Sequence, residues 1–327
     1  MSTHNIPITA TGYSIPPIGM GSFGSDHISA DVMAQAVRTA LKIGYRNIDC
    51  ASVYGNEREI GGVLSSSGIA RDELWITSKV WNDSHGKANV IKSAKQSLHD
   101  LGLDYLDLYL VHWPFPNYHP PFCDVDSRSP NARPFIIEEF MDTWAGMEAL
   151  VTEGVVRHIG TSNMTEAKLR LMLPNCSIRP LFNEMELHPT FQQRALVSFV
   201  KAEGMIPIGF SPLGSPNRPD RDKTEADLVD MAHPIVVQIA RDHNVHPASI
   251  CLKWAHQMGI IPIPLSTKER NLRSNFEAIQ SDPLTAEELA LLRDVESGNR
   301  LIKGQVFLWE GARGWQDLWD EDGTIAR

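Results

Sequence analysis

The chain has 327 residues, 42% of them apolar, with 30 basic and 40 acidic side chains and a formal charge of −10. That composition excludes a disordered chain and suffices for a full hydrophobic core. A uniformly acidic surface repels phosphate backbones, so nucleic acid is excluded as an expected partner.

The chain opens on the polar stretch "MSTHNIPITATG", which has no apolar signal core. The segment "ITATGYSI" reads as a β-hairpin placed to plug the bottom of a barrel. Eight short apolar, β-branched runs follow, near 16–22, 46–49, 74–80, 105–112, 155–160, 178–184, 205–210 and 259–264. Helical patterns lie between them. One places Met33, Val37, Ala40 and Leu41 on one face, another Ile91, Ala94, Leu98 and Leu101, and a third Phe140, Trp144, Met147 and Val151. A late helix starts at Thr285 with Glu288 three residues on, a capping box.

Strict alternation implies parallel strands joined by crossover helices. The fold class is therefore α/β, and eight units predict a (β/α)8 TIM barrel as a single domain over 1–327. An open doubly wound sheet is the runner-up, weakened because no GxGxxG follows the first strand. The Pro-rich segment 114–135 is too long for a simple βα turn and reads as an elaborated loop over the active face. The tail at 300–327, with Trp309, Trp315 and Trp319, reads as a second. Cys50, Cys123, Cys176 and Cys251 are scattered without CxxC spacing, against a zinc site or disulfide framework. No apolar run reaches the ~18 residues that would span a membrane. A soluble, cytoplasmic protein is expected, with no membrane partner.

In a barrel, chemistry sits where strands end. The ends here carry Asp49, Lys79, His112, Ser162 and Asn163, Asn183 and Glu184, and Phe210 and Ser211, with Tyr54 five residues past Asp49 in "GYRNIDCASVYGNE". A lone Asp or Lys at a strand end is more commonly a loop cap, and a lone His a satisfied structural one. Four ionisable groups converging from adjacent strands change that balance, because burying them singly is costly. Asp49 can hold Lys79 charged, and Lys79 can stabilise a tyrosinate at Tyr54 and so lower its ordinary pKa near ~10. A neutral His112 can aim a donor at a substrate oxygen. Such a group donates a proton to an oxygen gaining negative charge, which fits carbonyl reduction by a nicotinamide.

With these motifs in order, together with "TSKVW", "LYLVHWP", "TWAGMEALVTEGVVRHIGTSN", "NEMELHP" and "GFSPLGSP", the sequence resembles the aldo-keto reductases over nearly its whole length. The resemblance implies a catalytic tetrad of Asp49, Tyr54, Lys79 and His112, with Tyr54 as proton donor. It implies NADPH bound extended, without a Rossmann unit. Gly21 and Ser22 match positions near the nicotinamide, Ser162 and Asn163 those that hold its carboxamide, and Phe210 the ring that stacks on it. Ser211, Leu213 and Ser215 match the loop around the pyrophosphate. Ser266, Lys268, Arg270 and Asn275 match the segment at the adenosine 2′-phosphate. Phe23, Val53, Trp81 and Trp113 match the wall of the substrate pocket; no metal is implied.

Three positions depart from the family pattern. Glu184 stands for the usual glutamine, and an ionised carboxylate only accepts where an amide also donates. Leu265 and Asn271 stand for the usual phosphate-binding lysine and arginine, which weakens the NADPH assignment and opens NADH or dual use. Ser266, Lys268, Arg270 and Arg273 lie near enough to compensate, and a small gap restores Arg270 as the arginine. Asn217 stands where some members carry an aspartate that clasps the missing lysine. A looser cofactor loop and faster release are expected.

The leading expectation is an NAD(P)H-dependent reductase of aldehydes, ketones or aldoses, acting as a monomer on a small-molecule carbonyl. The alternative is a redox-sensing regulatory subunit that binds cofactor with little turnover. A metal-dependent hydrolase is disfavoured: only Asp49 and His112 could be ligands, and Lys79 between them repels a metal. Lys303 and Arg313 in the tail could meet an acidic substrate, against the commoner reading of solvated surface charge.

Overall fold

The structure, a computed structural model, describes residues 5–8, 12–24, 27–119, 129–216, 218 and 223–326. Strands β1 (Ile6–Ile8) and β2 (Tyr13–Ile15) pair antiparallel, with Ile6 opposite Ile15, as the predicted hairpin. Its turn at 9–11 lies outside the described residues. Eight parallel strands follow: β3 (Met20–Gly21), β4 (Asn47–Asp49), β5 (Trp75–Val80), β6 (Leu106–Val111), β7 (Val156–Ser162), β8 (Phe182–Glu186), β9 (Ile206–Phe210) and β10 (Ile261–Pro262). Each pairs with the next in chain order. The Gly19 and Gly21 amides donate to Pro262 O at 3.0 Å and Pro264 O at 3.2 Å, joining the first strand to the last. A Cβ on Gly21 would come within 3.0 Å of the Ile263 carbonyl, so this seam needs a glycine.

The helices are α1 (Ala30–Ile43), α2 (Glu57–Ser65), α3 (Lys87–Leu101), α4 (Ile137–Thr152), α5 (Glu166–Met172), α6 (Arg194–Ala202), α7 (Pro234–Asp242), α8 (Pro247–Gln257), α9 (Glu269–Ala278), α10 (Ala286–Arg293) and α11 (Gln316–Trp319). Their starts are chemically marked. Ser29 accepts from the Val32 amide to cap α1, and Thr285 with Glu288 forms the predicted capping box on α10. Such a cap stabilises a helix by about 1 kcal/mol. All four apolar residues predicted on α1 are buried. On α3 the buried set begins at Val90, with Ile91 only half-buried, and on α4 Leu150 is buried where Val151 was predicted. The stripe facing the sheet is wider than one residue per turn, so spacing alone locates it to within a residue.

Strands β5 and β6 are buried along their whole length, as strands covered on both faces must be. Their residues alternate between two cores. Trp75, Leu108, Leu110, Phe182, Ile208 and Ile261 fill the barrel interior. Ile48, Ile76, Val80, Tyr109, Val111 and Ile159 pack outward beneath the helices. Ile15, with no exposed surface, joins the interior set, and Ile6 packs against it. The hairpin thus closes the bottom of the barrel. At Gly160 of β7 a Cβ would lie 2.7 Å from both the Phe182 carbonyl and a Leu110 methyl, so only glycine fits between these strands.

The inward parity carries straight to the strand ends. Asp49 pairs in register with Thr77, two beyond Trp75; Ser162 pairs with Glu184, two beyond Phe182. Lys79 and His112 continue the inward series of β5 and β6. The other end of the chain covers this face. Val306, Phe307, Leu308, Trp309, Leu318 and Trp319 form one buried cluster with Trp81, Trp113 and Phe115.

Candidate active site

The centre of the site is a buried lysine. Lys79 has no exposed surface, and an unpaired ammonium there would cost several kcal/mol. Its Nζ lies 2.5 Å from Asp49 Oδ2, donates to Cys50 O at 3.1 Å, and stands 3.4 Å from Glu184 Oε1. Burial pulls the ammonium's pKa down, but Asp49, Glu184 and Tyr54 together lift it well above the ordinary lysine value. Lys79 is therefore a permanent cation.

Asp49 and Glu184 are both pushed upward, chiefly by burial. One carboxylate neutralises Lys79, and the 2.5 Å contact makes that one Asp49. Glu184, whose Oε1 stands farther from the lysine at 3.4 Å, is pushed up to about 8 by burial and by the charge of Asp49, which favours its protonated form. The expected ionised, accept-only carboxylate at Glu184 thus meets surroundings that favour the neutral acid. A buried, protonated acid donates as well as accepts, like the amide it replaces.

Tyr54 sits in the turn after β4, beside Lys79, whose Nζ is 5.4 Å from the ring centroid. The ring meets Phe23 at 5.0 Å and His112 edge-on at 5.8 Å, between centroids. Tyr54 and His112 are half-buried, whereas Asp49, Lys79 and Glu184 are buried behind them. The expectation that Lys79 lowers the Tyr54 pKa holds only for that one interaction. Burial dominates, Asp49 and Glu184 add to it, and the phenol ends well above its usual value. Tyr54 is held protonated until a base forms beside it. His112 is driven well below the usual histidine range by burial, Lys79 and His119, so its imidazole is neutral.

Around this group the other predicted residues divide. Ser22 is committed to the scaffold: its hydroxyl donates to Asp49 O at 2.7 Å, and its carbonyl accepts from Asn56 Nδ2 at 2.8 Å. Gly21 serves the barrel seam. Asn163, at a positive φ of 57°, donates from its amide to Glu184 O at 2.9 Å and from Nδ2 to His112 O at 2.9 Å. Asn163 Oδ1 and Glu184 Oε2 are buried with no hydrogen-bond partner. An orphaned amide oxygen and an orphaned carboxyl oxygen beside Ser162 suit a carboxamide, which both donates and accepts, so the residues present fit a nicotinamide. Phe210 is half-buried at the end of β9. Ser211, Gly214 and Ser215 all take positive φ, at 51°, 74° and 36°, with Leu213 between them. Left-handed turns of this kind turn backbone amides inward toward an anion.

The phosphate-end residues lie apart from the tetrad. Ser266, Lys268, Arg270 and Asn275 run from beyond β10 into α9; Lys268, Arg270 and Asn271 are exposed, Leu265 is half-buried and Asn275 buried. Asn217 lies outside the described residues, as do Cys123 and residues 120–128 of the long loop. Phe23 and Val53 are exposed on the Tyr54 side, while Trp81 stands 5.1 Å from the His112 ring. Trp113 is buried in the tail cluster, 4.6 Å from Phe307 and 5.4 Å from Trp319. Lys303, mostly buried, is paired with Asp227 at 3.1 Å, whereas the solvent-exposed Arg313 pairs with Asp317 at 2.5 Å, in line with the commoner reading of a solvated surface charge. The long loop also borders a cavity of about 620 Å³ lined by Asn82, His85, Tyr118, Arg133 and Glu139, which shares no residue with the tetrad.

Sequence reasoning passed over Glu186 and His188, because β8 was ended at Glu184. The strand runs two residues further. His188 Nε2 lies 3.0 Å from Glu186 Oε1, and Nδ1 lies 3.2 Å from Asp230 Oδ1. The signal was the alternation of two acids and a histidine in "NEMELHP". Nothing near Asp230 in the sequence marked it as the third member.

Residues 17–297 match the Aldo/keto reductase family. An aldo/keto reductase of Synechocystis is 36% identical over 317 residues, 95% of each chain. Aldo-keto reductase family 1 member A1-A of Danio rerio is 35% identical over 94% of each. The crystal structure of a Bombyx mori aldo-keto reductase in complex with NADP superposes with a TM-score of 0.80 at 31% identity, covering 92% of this chain and 95% of that one. This chain belongs to the aldo/keto reductase family and is an oxidoreductase with that family's (β/α)8 barrel. Among the described residues no helix is long and apolar enough to cross a membrane.

Proposed function

We propose that the protein reduces aldehydes, ketones or aldoses to alcohols with NADPH, Tyr54 giving the proton. The observation that carries this reading is the layered site: a protonated phenol half-open to the pocket, with a permanently charged lysine buried directly behind it. The substrate oxygen would accept hydrogen bonds from Tyr54 and from neutral His112. A bound nicotinamide supplies a hydride to the carbonyl carbon. As negative charge gathers on the oxygen, the Tyr54 O–H bond breaks and the proton completes the alcohol. Lys79, held by Asp49, stabilises the phenolate until solvent reprotonates it. A high resting pKa suits this order of events, because the phenol parts with its proton only to a strong base such as an alkoxide.

Ser162, Asn163, Glu184 and Phe210 would hold the nicotinamide half, with Gly21 and Ser22 only shaping its floor, and Ser211, Leu213 and Ser215 the pyrophosphate. Ser266, Lys268, Arg270 and Asn275 would meet the adenosine end. The exposed cations Lys268 and Arg270 beside the α9 amino terminus support NADPH, as does the NADP in the silkworm relative. Leu265 and Asn271 leave NADH as a second cofactor. Phe23, Val53, Trp81 and Trp113 would line an apolar and aromatic wall. The free thiols of Cys50, Cys176 and Cys251 suit a reducing, cytoplasmic setting. The test is oxidation of NADPH and of NADH in parallel against glyceraldehyde, xylose, glucuronate, benzaldehyde and methylglyoxal. Turnover of one or more with NADPH is expected. No turnover despite tight NADPH binding would overturn this reading in favour of a sensor.

A further inference from the structure

Glu184 is a buried carboxyl at the nicotinamide end that the proton-transfer step does not use. It points inward from β8, in register with Ser162. Lys79 is already satisfied by Asp49 at 2.5 Å and by Cys50 O at 3.1 Å, so Glu184, at 3.4 Å, is a second carboxyl on a cation that needs only one. Its other oxygen, Oε2, is buried with no partner. We propose that Glu184 makes this enzyme discriminate between oxidised and reduced nicotinamide, favouring the oxidised form when its carboxyl gives up its proton. This rests on the reading that the ring lies against Ser162, Asn163 and Glu184.

The charge balance carries the argument. The groups facing Glu184 are Asp49 from β4, Tyr54 from the turn after it, and Lys79 from β5; His112, beyond β6, is neutral. Flanking β7 contributes Ser162 and Asn163, and β9 contributes Ile208, none of them ionisable. With Glu184 protonated the cluster is neutral. With Glu184 ionised it carries one uncompensated negative charge in a buried site, where electrostatic interactions are strong. The oxidised ring is cationic and meets that charge; the reduced ring is neutral and gains nothing. By reciprocity, binding the oxidised form must expel a proton from Glu184. A glutamine at this position has no proton to expel.

The experiment titrates the holo-competent protein separately with NADP+ and NADPH by quenching of tryptophan fluorescence across neutral to alkaline pH. The ratio of the Kd for NADP+ to the Kd for NADPH should fall by about tenfold or more as Glu184 ionises. It should stay level in Glu184→Gln. The 2′-phosphate, common to both forms, cancels in the ratio. Calorimetry in buffers of different ionisation enthalpy should show more protons released on binding NADP+ than on binding NADPH to the wild type near neutrality, the 2′-phosphate contributing equally to both; this readout needs no variant. A level ratio in the wild type, an equal slope in Glu184→Gln, or equal proton release on binding NADP+ and NADPH overturns the inference while leaving the reductase reading intact. Failure to bind either form overturns both.

Discussion

Raising the pH should loosen two walls of the site at once, through His188. This imidazole has no exposed surface and lies between Glu186 and Asp230. Burial alone would strip its proton, but the two carboxylates hold it, and the pKa is raised to about 9. An unfolded chain releases that proton near ~6.5. Between those values the folded protein binds one more proton than the unfolded, so stability falls by about 1.4 kcal/mol per pH unit. A raised histidine pKa means the contribution is complete below the unfolded value and lost above the folded one, about 3 kcal/mol in all. Because the group is wholly buried, solvent does not dilute the effect.

The triad is also a latch. Glu186 accepts from the Leu301 and Ile302 amides at 2.7 and 3.0 Å, fixing the tail. Asp230 accepts from the Thr190 amide at 2.8 Å and packs so close to Gly214 that no side chain fits there, placing it against the proposed pyrophosphate loop. Urea unfolding of wild type and His188→Gln should therefore show a stability gap that narrows by about 3 kcal/mol as pH rises from near 6.5 to past 9. Nitrogen NMR should find the imidazolium persisting well above pH ~6.5, the ordinary histidine midpoint. A gap independent of pH, or an imidazole titrating at the ordinary midpoint, refutes the reasoning.

Two further outcomes are expected. Tyr54→Phe keeps the ring against Phe23 and His112 but removes the donor, so kcat should fall by about 10²–10⁴ with cofactor affinity unchanged; near-normal turnover would exclude Tyr54 as the acid. Lys168, buried, donates to Leu318 O at 2.9 Å and Asp320 Oδ2 at 2.6 Å, and Lys168→Met leaves Asp320 buried without its cation. That should cost about 3–5 kcal/mol, read as proteolysis of the tail faster by about a hundredfold or more and a red-shifted Trp319; wild-type resistance would show that the ion pair does not anchor the tail.

Much of the architecture was legible because it repeats. Runs such as "LWITSKV" and "YLDLYLVH" announce strands buried on both faces, and the inward parity that fills the barrel with Trp75 and Leu108 delivers Lys79 and His112 to its rim. The hairpin and the Thr285 cap are local chemistry and were equally plain. Helix faces were read to within a residue, since Val90 and Ile91 differ only in how they meet the sheet. The tail was another matter. Trp309, Trp315 and Trp319 stood out, but nothing local linked them to Trp113 and Phe307, or tied Asp320 to Lys168 across 152 residues.

The sequence by itself determined which groups stand at the strand ends, because strand order and period-two alternation follow from short-range patterns. It also located the departures, Glu184 above all. Only the tertiary structure decided where the protons lie. Asp49 lies 2.5 Å from Lys79 and Glu184 3.4 Å, so the lysine favours charge on Asp49 first and burial favours a proton on Glu184. Tyr54 is held upward rather than downward because burial, contributed by elements far apart in the chain, outweighs the lysine beside it. Charge states depend on distance and desolvation, and both come into being only when the barrel closes.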